Sequence, residues 1–88
     1  MKIKYHKSLE KDLRKINDKK IKQRLKLVIL EMKEANVLDE ITSVKKLSGH
    51  PNAFRMRIGS YRLGFYYENN TILLSRFVKR NDIYKLFP

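Results

Sequence analysis

The stretch AFRMRIGSYRLGFYY, residues 53–67, constrains the fold more than any other part of the chain. Two runs of alternating polar and apolar residues flank a Gly-Ser pair, which is typical of a β-hairpin with a type II′ turn. Because side chains alternate along a strand, Arg55, Arg57 and Arg62 are expected on one face. The opposite face is expected to be apolar and comprises Phe54, Met56, Ile58, Leu63, Phe65 and Tyr67.

The length and composition predict one small domain over residues 1–88 with one modest core. No run approaches the roughly 20 apolar residues that a membrane span requires. The first residues are charged and are not followed by an apolar segment, so no secretory signal is expected. The chain contains no cysteine, which excludes disulfides and favours the cytoplasm.

The formal net charge is +12, which favours a polyanionic partner such as a nucleic acid, an anionic membrane surface or an acidic protein. The cations are unevenly distributed. Residues 1–52 hold 12 Lys and two Arg, whereas residues 53–88 hold five Arg and two Lys. Since arginine is the better planar clamp for phosphate, the second part of the chain is predicted to be the working surface.

The remaining signals predict an α+β domain in the order β-α-α-β-β-β, with a pair of N-terminal helices packed on one face of a small, mainly antiparallel sheet. The predicted elements are a strand at 2–5, a helix at 8–16 capped by Ser8, a helix at 19–35 capped by Asp18, the hairpin, and a strand at 71–78 after an Asn-Asn turn. Residues 79–88 are a tail, in which the spacing of Ile83, Leu86 and Phe87 allows either a short helical turn or an extended segment.

The second helix is apolar on two sides. One stripe contains Ile21, Leu25 and Met32, while Leu27 and Leu30 lie opposite. The favoured interpretation is that both sides are core. The alternative is that Leu27 and Leu30 are exposed to a partner protein.

Three motifs occur together in a familiar order: Lys46-Leu47-x-Gly49, then FRMRIGSYRLGFYY, then FVKRNDIY. Nearly the whole chain resembles the RelE/ParE superfamily of type II toxin–antitoxin toxins. The resemblance to the RelE-like branch implies ribosome-dependent cleavage of mRNA without a metal or other cofactor. The ParE-like branch instead inhibits DNA gyrase. Tyr84 favours the RelE-like branch, because ParE-like chains usually lack that tyrosine.

The resemblance places the candidate catalytic residues at Arg57, Arg62, Arg80 and Tyr84. This chain departs from the best-known RelE sequences in carrying Arg where they carry Lys on the hairpin strand. Lys79 also stands where several relatives carry His. A proton-transfer role held by Lys or His elsewhere is therefore not carried over.

Metal-free RNA cleavage requires a proton acceptor for the 2′-hydroxyl and cations for the phosphorane. Arginine serves the second need but not the first, because its pKa lies above about 12. Tyr84 is then the best titratable group, and neighbouring arginines would lower its pKa. The hypothesis is that Tyr84 takes or relays the proton, or stacks on a base. Arg57 and Arg62 would hold the phosphate and Arg80 the leaving oxygen.

Further RNA backbone contacts are predicted at Lys45, Lys46, Arg55, Arg76 and Lys79. No His, Cys or carboxylate cluster has metal-ligand spacing, so no metal is expected. The implied partners are the ribosome with its mRNA, and an acidic antitoxin that covers the arginines or lies along the helices and displaces the tail.

Simpler interpretations remain open for each site residue. The strand arginines can be a solvated face, Arg62 can pair with Glu68 or Asp82, and Tyr84 can pack on the sheet. The other functions in view are a gyrase inhibitor and a non-catalytic nucleic-acid-binding module. The last would need aromatic residues among the arginines, and Tyr66 alone fits that description.

Overall fold

The computed structural model describes every residue from Met1 to Pro88. Its elements are β1 (Lys2–Tyr5), α1 (Lys7–Arg14), α2 (Lys19–Glu34), β2 (Val44–Lys46), β3 (Ala53–Ile58), β4 (Tyr61–Glu68), β5 (Thr71–Lys79) and α3 (Arg80–Leu86), with one 3-10 turn at Leu38–Glu40. The predicted α+β class and the order of the main elements are confirmed. The structure adds the short strand β2 and the final helix α3. None of the helices combines the length and apolar composition that crossing a bilayer requires.

The five strands form one sheet in the order β1-β5-β4-β3-β2. Strand β1 runs parallel to β5, and every other pair is antiparallel. The predicted hairpin is present as β3 and β4. Of its two turn residues only Gly59 has a positive φ, 59°, as a type II′ turn requires. Asn69 and Asn70 both have positive φ and make a type I′ turn into β5.

Helices α1 and α2 pack on one face of the sheet, as predicted. Asp18 caps α2 by accepting hydrogen bonds from the N–H groups of Lys20 and Ile21 at 3.0 and 3.2 Å. The predicted cap of α1 is wrong, because α1 begins one residue earlier and His6 Nδ1 accepts from the Ser8 N–H at 3.1 Å. The buried core between helices and sheet includes Leu9, Leu25, Met32, Leu63, Phe65, Ile72, Leu74 and Phe77.

The second side of α2 is not core. Leu27 is 56% exposed and Leu30 is 47% exposed, so the favoured interpretation was wrong and the alternative describes the surface. The reason lies in the placement of α1, which leaves this side of α2 uncovered. Leu30 instead lines an open apolar groove with Tyr5, Leu13, Leu25 and Ile29.

The opposite face of the sheet carries the arginines, and it is also partly covered. Helix α3 folds back over this face, and Ile83 and Phe87 are buried there with Ala53 in a second, smaller core. Leu47, Tyr66 and Val78 complete the packing around it. The tail is thus helical rather than extended. It occupies one half of the arginine-bearing face and leaves the other half open.

Candidate active site

The open half of this face holds a cleft of about 400 Å³. Its lining consists of Ser43, Lys45, Arg55, Arg57, Arg62, Arg80 and Tyr84. Five of these seven side chains are cationic and none is a carboxylate. All four residues predicted to be catalytic lie in this one cleft.

Strand register explains why four of the cations meet. Arg57 of β3 lies directly opposite Arg62 of β4, and Lys45 of β2 lies directly opposite Arg55 of β3. Directly opposed like charges destabilise a sheet, by an amount on the order of 0.2–1 kcal/mol per pair. Two such pairs side by side are unfavourable for folding alone, which indicates a surface built to receive an anion.

Arg62 is held in place by its own turn. Its Nη1 donates to the carbonyl oxygens of Gly59 at 3.1 Å and Tyr61 at 2.9 Å. Its Nε and Nη2 donors have no acceptor in the protein and remain for a ligand. Burial lowers the pKa of the Arg62 guanidinium, and the charges of Arg57 and Arg80 lower it further. Arg62 does not pair with Glu68 or Asp82.

Helix α3 brings the other two predicted residues to the cleft. Its first N–H, from Arg80, donates to the Ser60 carbonyl at 3.1 Å and ties the start of the helix to the hairpin turn. Tyr84 follows Arg80 by four residues and therefore lies on the same side of the helix. Arg80 and Tyr84 follow the last hairpin arginine, Arg62, by 18 or more positions, and α3 nevertheless brings them into the same cleft.

Tyr84 lies beneath an arginine and faces solvent. The Arg55 guanidinium carbon is 5.0 Å from the centre of the Tyr84 ring, and the tyrosine side chain is 61% exposed. Hydrogen bonding to Arg55, together with the charge of Arg55, lowers the pKa of the Tyr84 phenol, and Arg80 lowers it further. The phenol is thus exposed, activated toward ionisation and next to the cations.

Arg76, a predicted RNA contact, is placed elsewhere. Its Nε and Nη2 each donate to the carboxylate of Asp12 on α1 at 2.9 Å, and this is the one ion pair in the structure. The same carboxylate accepts the Phe77 N–H at 3.0 Å, at the edge of β5 beyond the end of β1. Arg76 therefore joins a helix to the sheet edge and does not contribute to the cleft.

The other predicted RNA contacts divide between the cleft and its surroundings. Lys45 and Arg55 line the cleft, whereas Lys46 and Lys79 are exposed outside it. Ser43 lines the cleft but was not predicted. It adopts a positive φ of 65° just before β2, and no local sequence signal marks that conformation.

Comparison with known proteins decides the family. No family model matches the chain. The toxin RelE3 of Methanocaldococcus jannaschii is 36% identical over 89 residues, which span all of both proteins. The chain belongs to the RelE toxin family. The predicted superfamily and RelE-like branch are therefore confirmed.

Solved structures agree with this RelE assignment. The RelB–RelE antitoxin–toxin complex of Methanococcus jannaschii contains a chain 34% identical to this one, with a TM-score of 0.82 over 97% of this chain and 99% of that one. The RelE–RelB complex of Pyrococcus horikoshii gives 24% identity and a TM-score of 0.70, covering 90% and 93% of the two chains. The intact RelBE complex of E. coli gives 20% and 0.69, covering 89% and 94%. The last two support the RelE fold alone.

Proposed function

We propose that this RelE-family toxin is a ribosome-dependent endoribonuclease that cleaves translated mRNA. The observation that carries the proposal is the cleft itself. It combines five cationic side chains with an exposed tyrosine whose pKa is lowered by two of them. Such a site fits a phosphodiester and offers a proton acceptor beside it.

The reaction we assign is attack of a ribose 2′-oxygen on the adjacent phosphorus. The bond from phosphorus to the 5′-oxygen breaks, leaving a 2′,3′-cyclic phosphate and a 5′-hydroxyl. Tyr84 as phenolate accepts the proton of the 2′-hydroxyl. Arg57 and Arg62 hold the phosphorane oxygens, and Arg80 stabilises the charge on the leaving oxygen until solvent protonates it.

The donor chemistry of the cleft favours a mechanism without a metal. A divalent cation needs oxygen ligands, mainly carboxylates, and the cleft lining has none. Its five cations would also repel a metal ion. In this proposal the arginines supply the positive charge that a metal supplies in other nucleases.

We infer dependence on the ribosome because the cleft contacts phosphate and has no group that selects a base. Arginine and lysine contact phosphate without selecting a base, and the Tyr66 ring packs against Phe87 with ring centres 5.0 Å apart. Tyr66 is therefore not a free stacking platform, which argues against a stand-alone RNA-binding module. A ribosome would present the strand, and Lys46, Lys79 and the lysines of α2 would contact its RNA. The proposal places the protein in the cytoplasm.

The proposed second partner is an acidic antitoxin. The M. jannaschii structure is a complex of toxin with RelB antitoxin. In this chain the apolar groove beside Leu30 is bordered by Lys22, Lys26 and Lys33. An apolar floor with a basic border suits an amphipathic acidic segment that folds on binding.

Primer extension on mRNA from cells after brief induction tests the function. We expect cuts within translated codons for the wild type, and none for Arg62→Ala or Tyr84→Phe. Arg14→Gln is the matched control, since Arg14 is exposed on α1 away from the cleft and should leave cutting unchanged. Intact mRNA with a DNA-damage response would instead indicate gyrase inhibition. If folded Tyr84→Phe is fully toxic, the Tyr84 hydroxyl does not transfer the proton.

A further inference from the structure

The C-terminal end of helix α3 is fixed to the sheet by an aromatic ring that lies on a glycine. The Phe87 ring covers Gly64 of β4 so closely that a Cβ built on Gly64 would lie 2.6 Å from Phe87 Cγ and Cδ2. Phe87 is buried, and its ring also contacts Tyr66. No residue larger than glycine at position 64 leaves room for the ring where it is.

The backbone at Gly64 does not itself require glycine. Its φ is outside the positive region, unlike those of Gly49 and Gly59. Glycine within a strand costs about 0.5–1 kcal/mol relative to alanine, and here no left-handed conformation accounts for it. The neighbouring register shift between Gly64 and Phe65 is not of the kind that needs a left-handed glycine. Space for the Phe87 ring is the reason the structure gives for glycine.

One side of α3 packs on the sheet and the other side faces the cleft. Ile83 and Phe87, four residues apart, face the sheet and are buried. Arg80 and Tyr84, also four residues apart, face the cleft. A helix of seven residues is too short to hold its own shape in water, so its position depends on these attachments.

Tyr84 lies between the two attachments of α3. The start of the helix is held by the hydrogen bond from Arg80 to the Ser60 carbonyl, and the end by the Phe87 ring. Release of the ring leaves the helix joined to the sheet only by the hydrogen bond at its start and by the Ile83 side chain. Tyr84 can then swing away from Arg55, while Arg57 and Arg62 stay fixed on their strands.

We propose that Gly64 and Phe87 are positioning residues that hold the Tyr84 ring beneath Arg55 in the cleft. The effect on cleavage rests on the function proposed above. The effect on the environment of Tyr84 does not, because it follows from the position of the Tyr84 ring beside Arg55 whether or not the protein cleaves RNA.

The experiment measures the phenol pKa of Tyr84 in folded protein by NMR of ring-labelled tyrosine, with Tyr84→Phe assigning the signal. In Gly64→Ala we expect the pKa to rise toward its ordinary value, because the ring and with it α3 are displaced. Single-turnover cleavage on ribosomes should fall about 100-fold, as expected for a misplaced reacting group. Binding of a short RNA should persist, since the strand cations are unmoved.

Two further variants keep the proposal testable. Phe87→Ala removes the anchor without touching β4 and should raise the Tyr84 pKa in the same way. Adding Gly64→Ala to Phe87→Ala should change the Tyr84 pKa and the rate little beyond Phe87→Ala alone, because the ring that the new methyl group would displace is already absent. A role of Gly64 that is independent of the Phe87 ring would instead give additive effects in the double variant.

The proposal is overturned if Gly64→Ala and Phe87→Ala fold and leave the Tyr84 pKa at its wild-type value. If the wild-type protein cuts no RNA, the proposed function is wrong and the positioning proposal is not affected. The pKa rise in the two variants would still establish the positioning role in that case.

Discussion

The lowered pKa of Tyr84 predicts the direction in which the proposed cleavage depends on pH. If the phenolate accepts the 2′-hydroxyl proton, the rate rises with pH up to the pKa of Tyr84, which the two arginines lower. Single-turnover cleavage between pH 6 and 8.5 should therefore increase with pH. Tyr84→Phe should flatten the profile and lower the rate by about 10²- to 10⁴-fold.

Arg55 provides the control for this profile. Arg55→Gln removes the largest cause of the lowered pKa, so a smaller fraction of Tyr84 is ionised at each pH. We expect a lower rate throughout the range with the same upward slope. A wild-type profile that is level with pH would show that Tyr84 moves no proton.

The opposed arginines predict that function and stability conflict. Arg57→Gln removes one of the two charges facing each other across β3 and β4. Thermal unfolding should show that the free energy of unfolding rises by up to about 1 kcal/mol, while mRNA cleavage is lost. Arg14→Gln removes the same charge from an exposed site on α1 and should change neither. A loss of stability in Arg57→Gln would contradict this account of the cleft.

The joint between α1 and β5 should matter for folding and not for the reaction. Arg76→Leu leaves the buried Asp12 carboxylate without its cation, and breaking a buried ion pair costs about 3–5 kcal/mol. Since Asp12 keeps its hydrogen bond from Phe77 and Arg76 is partly exposed, we expect the lower end. Chemical denaturation measures the loss.

Lys79→Leu is the matched control for this joint, because Lys79 is exposed three residues further along the same strand. It should alter stability by no more than about 0.5 kcal/mol. The Arg76→Leu protein that remains folded should cleave mRNA normally. Loss of cleavage in folded Arg76→Leu would return Arg76 to the list of RNA contacts.

The exposed side of α2 gives a matched pair for antitoxin binding. Leu30 lines the basic-bordered groove and Leu27, on the same helix, does not. Both are exposed, so glutamine at either position should change stability by less than about 0.5 kcal/mol. Calorimetric titration with the antitoxin should show weaker binding for Leu30→Gln and unchanged binding for Leu27→Gln. Equal affinities would remove the groove from the interface.

The parts of the fold that were predicted correctly depend on neighbours in the chain. The hairpin follows from alternation and its turn residues, and α2 from its apolar stripe and the Asp18 cap. The parts that were not predicted depend on distant contacts. Asp12 and Arg76 are 64 residues apart, and strand β2 exists because β3 lies beside it.

The site divides in the same way. Family resemblance gave Arg57, Arg62, Arg80 and Tyr84, and the register of the hairpin predicts that two of them share a face. The role of Arg55 beside Tyr84 needed the position of α3. The conformation of Ser43 and the contact of Phe87 with Gly64 have no local signal, since each is set by packing of the folded chain.

The excess of positive charge predicts a strong dependence of RNA binding on salt. Each phosphate contact by single-stranded RNA contributes a slope of about −0.7 in a plot of log K against log salt. Five cleft cations therefore give a limit of about −3.5. Fluorescence anisotropy titrations of a short RNA measure this slope. They should cover about 50 to 200 mM KCl, the range over which salt weakens binding through phosphate contacts. Lys45→Gln should reduce the slope, and Arg14→Gln should not.

The like charges that face each other across three strands also make the stability of the protein depend on whether the cleft is occupied. An anion between these charges binds only the folded chain. RNA phosphate or antitoxin carboxylates would therefore raise the free energy of unfolding of the molecules that they occupy. Empty molecules lack this protection and unfold most often, which exposes them to proteases. The paired like charges therefore leave the unbound form with the lowest free energy of unfolding.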